Sequence, residues 1–205
     1  MKSRKIVKSG EELKKLTDFL FECRSLKHLP RASLQYLKSP IKENVAEHSF
    51  YTMIIGWILA GLEKANEEKI IKMALIHDLA EVRGGDRNLI NKFYSQPLDE
   101  AKIIEGISKD YDLKDFDLLK FFKEFFQENS LEAKIVKDAD VIAGMLLEKE
   151  CVDLGNEKAK KWLIISFQRL KTKSGKAIGK RLIKVDSDKW WMDLVKKYIL
   201  KTKFL

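Results

Sequence analysis

Ile70-Ile71-Lys72-Met73-Ala74-Leu75-Ile76-His77-Asp78-Leu79-Ala80-Glu81-Val82-Arg83-Gly84-Gly85-Asp86 is the stretch on which the reading of this chain turns. It opens as an apolar helical run whose hydrophobic face needs a core, and it ends in two adjacent residues able to bind a metal ion. A buried imidazole beside a buried carboxylate needs a compensating partner. Glu81 follows His77 by four positions and Asp78 by three, so on a helix all three project toward one side. Gly84-Gly85 then ends the helix and places Asp86 in a turn. Four polar groups converge at one helix end, either as a capped terminus or as part of a metal site. The rest of the chain has to choose between the two.

Upstream, Asn66 caps the helix that ends in this stretch, and before it Val45, Met53, Ile54, Trp57, Ile58 and Leu62 recur at helical spacing, with His48 in the first turn. The segment from Leu26 to Asn44 breaks that periodicity with Pro30 and Pro40 and reads as an irregular surface loop carrying His28, a solvated histidine, and Arg31. Before it, Ser9-Gly10-Glu11-Glu12 has capping-box spacing and opens a helix to about residue 24, whose stripe of Leu13, Leu16, Phe19, Leu20 and Cys23 belongs to the core. Downstream, helices are predicted at Asp99 to Ile107, Leu113 to Gln127, and Leu131 to Leu154, the last closed by Gly155. A further helix runs from Glu157 to Lys171, then a break at Lys173-Ser174-Gly175 and a basic segment to Ile183. The final helix opens near Asp186-Ser187 with Trp190, Trp191, Leu194, Val195 and Tyr198 on a packing face. No convincing alternating strand occurs, so the fold class is all-α and compact.

The chain has 205 residues, enough for one domain with a substantial core. Cys23 and Cys151 lie in apolar periodic segments without metal-ligand spacing and read as reduced core thiols. Met1-Lys2-Ser3-Arg4-Lys5 opens no long apolar stretch, and no run reaches bilayer length, so the expectation is a cytoplasmic protein without a membrane partner. A formal charge of +9 points to polyanions or phosphorylated small molecules as partners.

Lys134-Ile135-Val136-Lys137-Asp138-Ala139-Asp140-Val141-Ile142 sets two acids among aliphatic residues on the long helix, and at least one must lie near its buried face. With His48, His77 and Asp78 on neighbouring helices, the chain offers imidazoles and carboxylates suited to a divalent transition metal such as Mn, Fe, Co, Ni or Zn. This order of residues in an all-helical chain resembles the HD superfamily of metal-dependent phosphohydrolases. Glu43-Asn44-Val45-Ala46-Glu47-His48-Ser49, His77-Asp78-Leu79-Ala80-Glu81 with Gly85-Asp86, and Ala133 through Asp140 are similar to the three signature segments of its 5′-deoxynucleotidase group, which includes the HD domain-containing protein 2 relatives.

The resemblance covers roughly residues 10–155 and implies an HD-domain fold with a phosphohydrolase core over residues 1–155 and a basic helical extension, residues 156–205, packed on the same domain. It makes His48, His77, Asp78 and Asp140 the metal ligands, in preference to Asp138. It gives Glu81 and Asp86 the handling of substrate or catalytic water, with a second divalent ion such as Mg at Glu81 and Asp86 in some relatives. Arg31 matches the phosphate-orienting arginine, whose planar fork suits a phosphate. Where relatives follow that arginine with Gly-Trp or Trp, this chain has Ala32-Ser33-Leu34, so weaker discrimination between deoxyribose and ribose is expected. The implied function is a metal-dependent 5′-nucleotidase that releases phosphate from (deoxy)nucleoside 5′-monophosphates, working as a homodimer. The alternatives are hydrolysis of another phosphoester, a cyclic nucleotide or a nucleoside triphosphate, and nucleic-acid binding through the basic run from Lys158 to Arg181, which is not favoured.

Overall fold

The computed structural model describes residues 9–201, and Met1 to Lys5, read above for a leader, lie outside them. Among the described residues the chain is helical throughout, with one isolated antiparallel bridge between Pro30 and Asn44. The α-helices are α1 Gly10–Arg24, α2 Val45–Glu63, α3 Glu67–Ile76, α4 Glu81–Gly84, α5 Leu89–Tyr94, α6 Glu100–Asp110, α7 Leu118–Gln127, α8 Leu131–Asp153, α9 Glu157–Gln168, α10 Lys173–Leu182 and α11 Lys189–Lys201. Short 3-10 turns occupy Ser25–His28, Ala32–Tyr36 and Lys114–Phe116.

Caps fix where the helices begin. Ser9 and Glu12 form the expected capping box on α1, and Asn44 and Glu47 form another on α2, which sets His48 in the first turn. Asn66, Asp99, Ser130 and Asn156 each accept a backbone N–H at the start of α3, α6, α8 and α9.

Two large apolar clusters fill most of the interior, and a small third one gathers Leu37, Cys151 and Ala159. One large cluster joins α2, α3, α8, α9 and α10 through residues such as Leu59, Ile70, Met73, Ile135, Ile142 and Leu163. The other joins the start of α2 to α3, α6 and α7 through Val45, Ile76, Ile104, Ile107 and Phe122. Each fully buried aliphatic or aromatic side chain contributes roughly 1.5–3 kcal/mol. Val45 and Ile76 lie in the second cluster, while Ala74 and Ala139 lie in the first. His48, His77 and Asp140 therefore stand where the two clusters meet.

Several expectations change in the folded chain. On α1, Leu16, Phe19 and Cys23 pack inward, but Leu13 and Leu20 are exposed, because the helix rides on the surface of the second cluster. The expected helix from Leu113 starts at Leu118, since Asp117 adopts a left-handed conformation at φ 55°. α5, capped by Asn88, carries too few apolar residues facing a core to be legible in the sequence. The tryptophans and Tyr198 of α11 remain largely exposed. α2, at 19 residues, is by length and composition apolar enough to cross a membrane, contrary to the reading that no run reaches that length. Its inner face, with His48, Thr52, Leu59 and Ala60, is buried in the cores described above.

The Lys173-Ser174-Gly175 break is in fact the first turn of α10. Thr172 caps it, and Gly175 is required because a Cβ there would collide with the Asp138 carboxylate. Asp138 is fully buried and reaches from α8 to this helix start. Its Oδ1 accepts the Lys171 N–H at 2.8 Å, and its Oδ2 accepts the Thr172 N–H at 2.8 Å and the Thr172 hydroxyl at 2.7 Å. Asp138→Ala leaves three buried or half-buried donors unpaired. The expected outcome is a loss of about 3 kcal/mol of stability, read as a lower denaturant midpoint in metal-free protein, with Asp138→Asn losing less.

Candidate metal centre

His48, His77, Asp78 and Asp140 arrive from three helices. α2 delivers His48, the end of α3 delivers His77 and Asp78, and α8 delivers Asp140. α3 stops at Ile76 because the chain tightens into i→i+3 bonds, Leu79 N–H to Ile76 O and Glu81 N–H to Asp78 O, before α4 starts. Glu81 thus reaches the cluster across a turn rather than along the same helix. Gly85, at φ 70°, releases the chain so that Asp86 folds back toward Arg31.

The donors are close together. His48 Nε2 lies 3.1 Å from Asp140 Oδ1 and 3.8 Å from Asp78 Oδ2, and His77 Nε2 lies 3.2 Å from Asp78 Oδ2. His48, His77 and Asp78 each offer an atom within 4.8 Å of the other two, and Asp140 joins them through His48. His77 Nδ1 lies 2.7 Å from the Ala74 carbonyl, which can only accept, so Nδ1 carries the proton of the neutral ring. Nε2 is then a bare lone pair, buried and without a hydrogen-bond partner, facing a carboxylate oxygen. Two acceptors so placed call for a cation between them. Separations near 3 Å are those expected of ligands each about 2.0–2.2 Å from one ion, and the nitrogen–oxygen donor set fits a divalent transition metal.

Titration follows from the same geometry. Burial alone would lower the His77 pKa, but Asp78 and Asp140 raise it above the ordinary imidazole value, since a proton can take the cation's place. Burial would raise Asp78, yet His77, Arg31 and His48 hold it far below the usual carboxylate range. Asp140 is likewise held low against burial, by His48 and His77. Burial, together with Arg31, depresses His48.

Arg31 is not on an exposed loop. Its N–H bonds to Glu43 O at 2.9 Å while Val45 N–H bonds to Leu29 O at 3.0 Å, which pins the segment to the start of α2. The guanidinium then lies 2.9 Å from Asp78 Oδ2, 3.5 Å from Asp86 and 4.0 Å from Glu81. Asp86 also accepts the Ala32 N–H at 2.8 Å. His28 stays exposed and outside the cluster. The Leu34 side chain lies outside the described residues.

In the sequence, Glu43 stands out only as a member of its motif. Its carboxylate lies 3.7 Å from His48 Nδ1, and burial pushes its pKa up to about 7. A cation at His48 Nε2 moves the ring proton to Nδ1, toward that carboxylate.

The HD domain pattern matches residues 23–181 of the chain. The protein belongs to the HD domain family. Within that family it is 28% identical over 155 residues to the 5′-deoxynucleotidase HDDC2 of Bos taurus, covering 73% of this chain and 74% of the relative. It is 31% identical over 147 residues to the 5′-deoxynucleotidase YfbR of Salmonella paratyphi B, covering 64% and 74%. A conserved hypothetical protein from Pyrococcus furiosus shares the fold at a TM-score of 0.68, with 23% identity over 82% of this chain and 99% of that one. In this HD domain the second histidine and its neighbouring aspartate are the residues at the turn that ends α3.

Glu81 adds a pH signature. Burial, with Asp78 and Asp86 beside it, raises its pKa to about 9 from an ordinary 4.5. Between those values the folded chain holds a proton that the unfolded chain has released, so this group makes the protein less stable as pH rises through the window. Glu81→Gln removes that penalty. Metal-free Glu81→Gln is expected to melt at least about 3 °C above the wild type at pH 8, and with it at pH 4, in paired thermal scans.

Proposed function

We propose that this HD-domain phosphohydrolase releases phosphate from nucleoside 5′-monophosphates at the His48, His77, Asp78 and Asp140 cluster. The observation that carries the reading is the Arg31 guanidinium, 2.9 Å from Asp78 and 15% exposed, beside the bare His77 nitrogen. A planar two-donor cation next to a cation-binding cluster is suited to a phosphate oxygen pair. The names of the two curated relatives supply the nucleotide class.

A divalent Mn, Fe, Co, Ni or Zn ion in the cluster would polarise a phosphoryl oxygen and lower the pKa of a bound water. The protein's own groups do the rest. Arg31 orients the phosphate and offsets charge on its oxygens in a loose transition state. Glu81, whose pKa burial and the neighbouring aspartates push up to about 9, is placed to give a proton to the leaving 5′ oxygen. Asp86 holds Arg31 and the Ala32 amide, which shapes the segment where relatives carry tryptophan. A second ion at Glu81 and Asp86, such as Mg, would have to draw Arg31 away from Asp86.

Two copies pairing through α2 fit the same reading. Phe50, Ile54, Trp57 and Ile58 are 41–54% exposed and form one stripe on the side of the helix turned away from His48. A partner face of the same chain would cover it symmetrically. Cys23 and Cys151 are free thiols, which supports a reducing compartment such as the cytoplasm.

Stripped protein reloaded with each divalent ion, and assayed for phosphate release from matched deoxy- and ribonucleoside monophosphates, cyclic nucleotides and triphosphates, tests the reaction. Release from triphosphates or cyclic nucleotides alone would sink the monophosphate reading. Arg31→Lys is expected to lower kcat/KM at least about tenfold with metal content unchanged, because lysine keeps the charge and loses the fork. Wild-type kinetics in that variant would remove Arg31 from the site. Trp57→Glu, with Ile54→Glu, is expected to shift the mass seen in light scattering from dimer to monomer, and a wild type that is already monomeric refutes the pairing.

A further inference from the structure

Lys137 lies one turn before Asp140 on α8. Its ammonium sits over the face of Phe125, 3.6 Å from the ring centroid, and 5.1 Å from that of Phe126. The Phe125 ring in turn meets the His77 imidazole edge-on, at 5.6 Å between centroids. Lys137 is half-buried, and it forms no ion pair with a described carboxylate. Asp140, Glu128 and Asp78 act on it only through space, and Arg169 opposes them.

That environment is unusual for a lysine beside an acidic cluster. A lysine head normally runs to solvent or closes on a carboxylate. Here two aromatic faces support the charge on one side, and the ammonium donors are left free on the other. The cleft beside it has a charge problem of its own. A phosphate dianion has to approach the carboxylates of Asp78 and Asp140, while Arg31 is already engaged by Asp78 and Asp86. A divalent ion and one guanidinium leave little surplus positive charge for that approach.

We propose that Lys137 is a substrate-binding residue that contacts a non-bridging oxygen of the phosphate, approaching from α8 while Arg31 approaches from the loop before α2. Phe125 and Phe126 act as the platform that holds the ammonium at the cleft without neutralising it. Burial lowers the Lys137 pKa despite the acids around it, so an incoming anion restores what burial removes. The assignment rests on the phosphohydrolase reading and adds to it a second phosphate cation from a different element.

The test uses the metal-loaded full chain as wild type, Lys137→Met and Lys137→Arg. Methionine keeps an unbranched apolar stem on Phe125 and removes the charge. Metal content per chain is measured first, then the affinity for inorganic phosphate by calorimetry, then KM and kcat for a nucleoside monophosphate. Lys137→Met is expected to keep its metal and weaken phosphate binding about tenfold or more, by loss of a close charge pair in a partly desolvated cleft. KM should rise by a similar factor with a smaller change in kcat, and Lys137→Arg should recover most of the loss. Unchanged phosphate affinity in Lys137→Met overturns the proposal, as does a wild type that binds no phosphate when loaded. Equal loss of metal and phosphate in both variants also overturns it, since that is the mark of a packing role. Phosphate binding that depends on Lys137 in a protein hydrolysing no phosphomonoester would support the residue assignment and refute the reaction.

Discussion

The His77 imidazole, anchored through Nδ1 on the Ala74 carbonyl, turns an unpartnered nitrogen toward the Asp78 carboxylate 3.2 Å away. Two acceptors at that distance in a buried place are tolerable only with a positive charge between them. Either a proton, favoured by the raised His77 pKa, or a divalent ion suited to the donor set can supply it. Much of the surrounding construction serves to keep this arrangement from relaxing. His77 closes α3 in helical conformation, and the turn after Ile76 is what lets Asp78 and Glu81 face the same cleft. The two apolar clusters hold α2 and α8 on either side of that turn, so His48 and Asp140 cannot move apart without opening a core.

Charge around the cleft is balanced by residues distant in sequence. Arg31 answers Asp78, Asp86 and Glu81 from between two 3-10 turns, in a stretch tied to the start of α2 by the Pro30–Asn44 bridge. Burial works against the charge of the guanidinium, but the surrounding acids outweigh it and raise the pKa above its ordinary value. Glu81 goes the other way, with burial and the neighbouring aspartates favouring its neutral acid. Two carboxylates a few residues apart, Asp78 and Glu81, thereby sit in opposite protonation states. Separation of that kind is what acid and base roles at one pH require.

α2 carries a double burden. Its inner face supplies His48 and part of both cores, and its outer face is apolar as well, which is why length and composition alone give it the look of a membrane span. Burial distinguishes the inner face from such a span.

The residue pattern by itself determined the all-helical class, because apolar residues recur at helical spacing and capping residues stand at their starts. It also singled out His77, Asp78, Glu81 and Asp86, since a helix end carries them together. The choice of Asp140 over Asp138 rested on resemblance, because both acids neighbour aliphatic residues on one helix. Only the tertiary structure gave them different partners, with Asp140 at His48 and Asp138 under the first turn of α10. The same holds for Gly175, which reads as a break until the close approach of Asp138 is seen, and for α1, whose stripe cannot reveal how much core lies beneath it. Glu43 and Lys137 had no signal beyond their motif positions. Their meaning depends on distances to His48, Phe125 and Phe126 that arise only when α2, α7 and α8 pack, since contacts between residues so far apart in sequence are set by packing and not by local pattern.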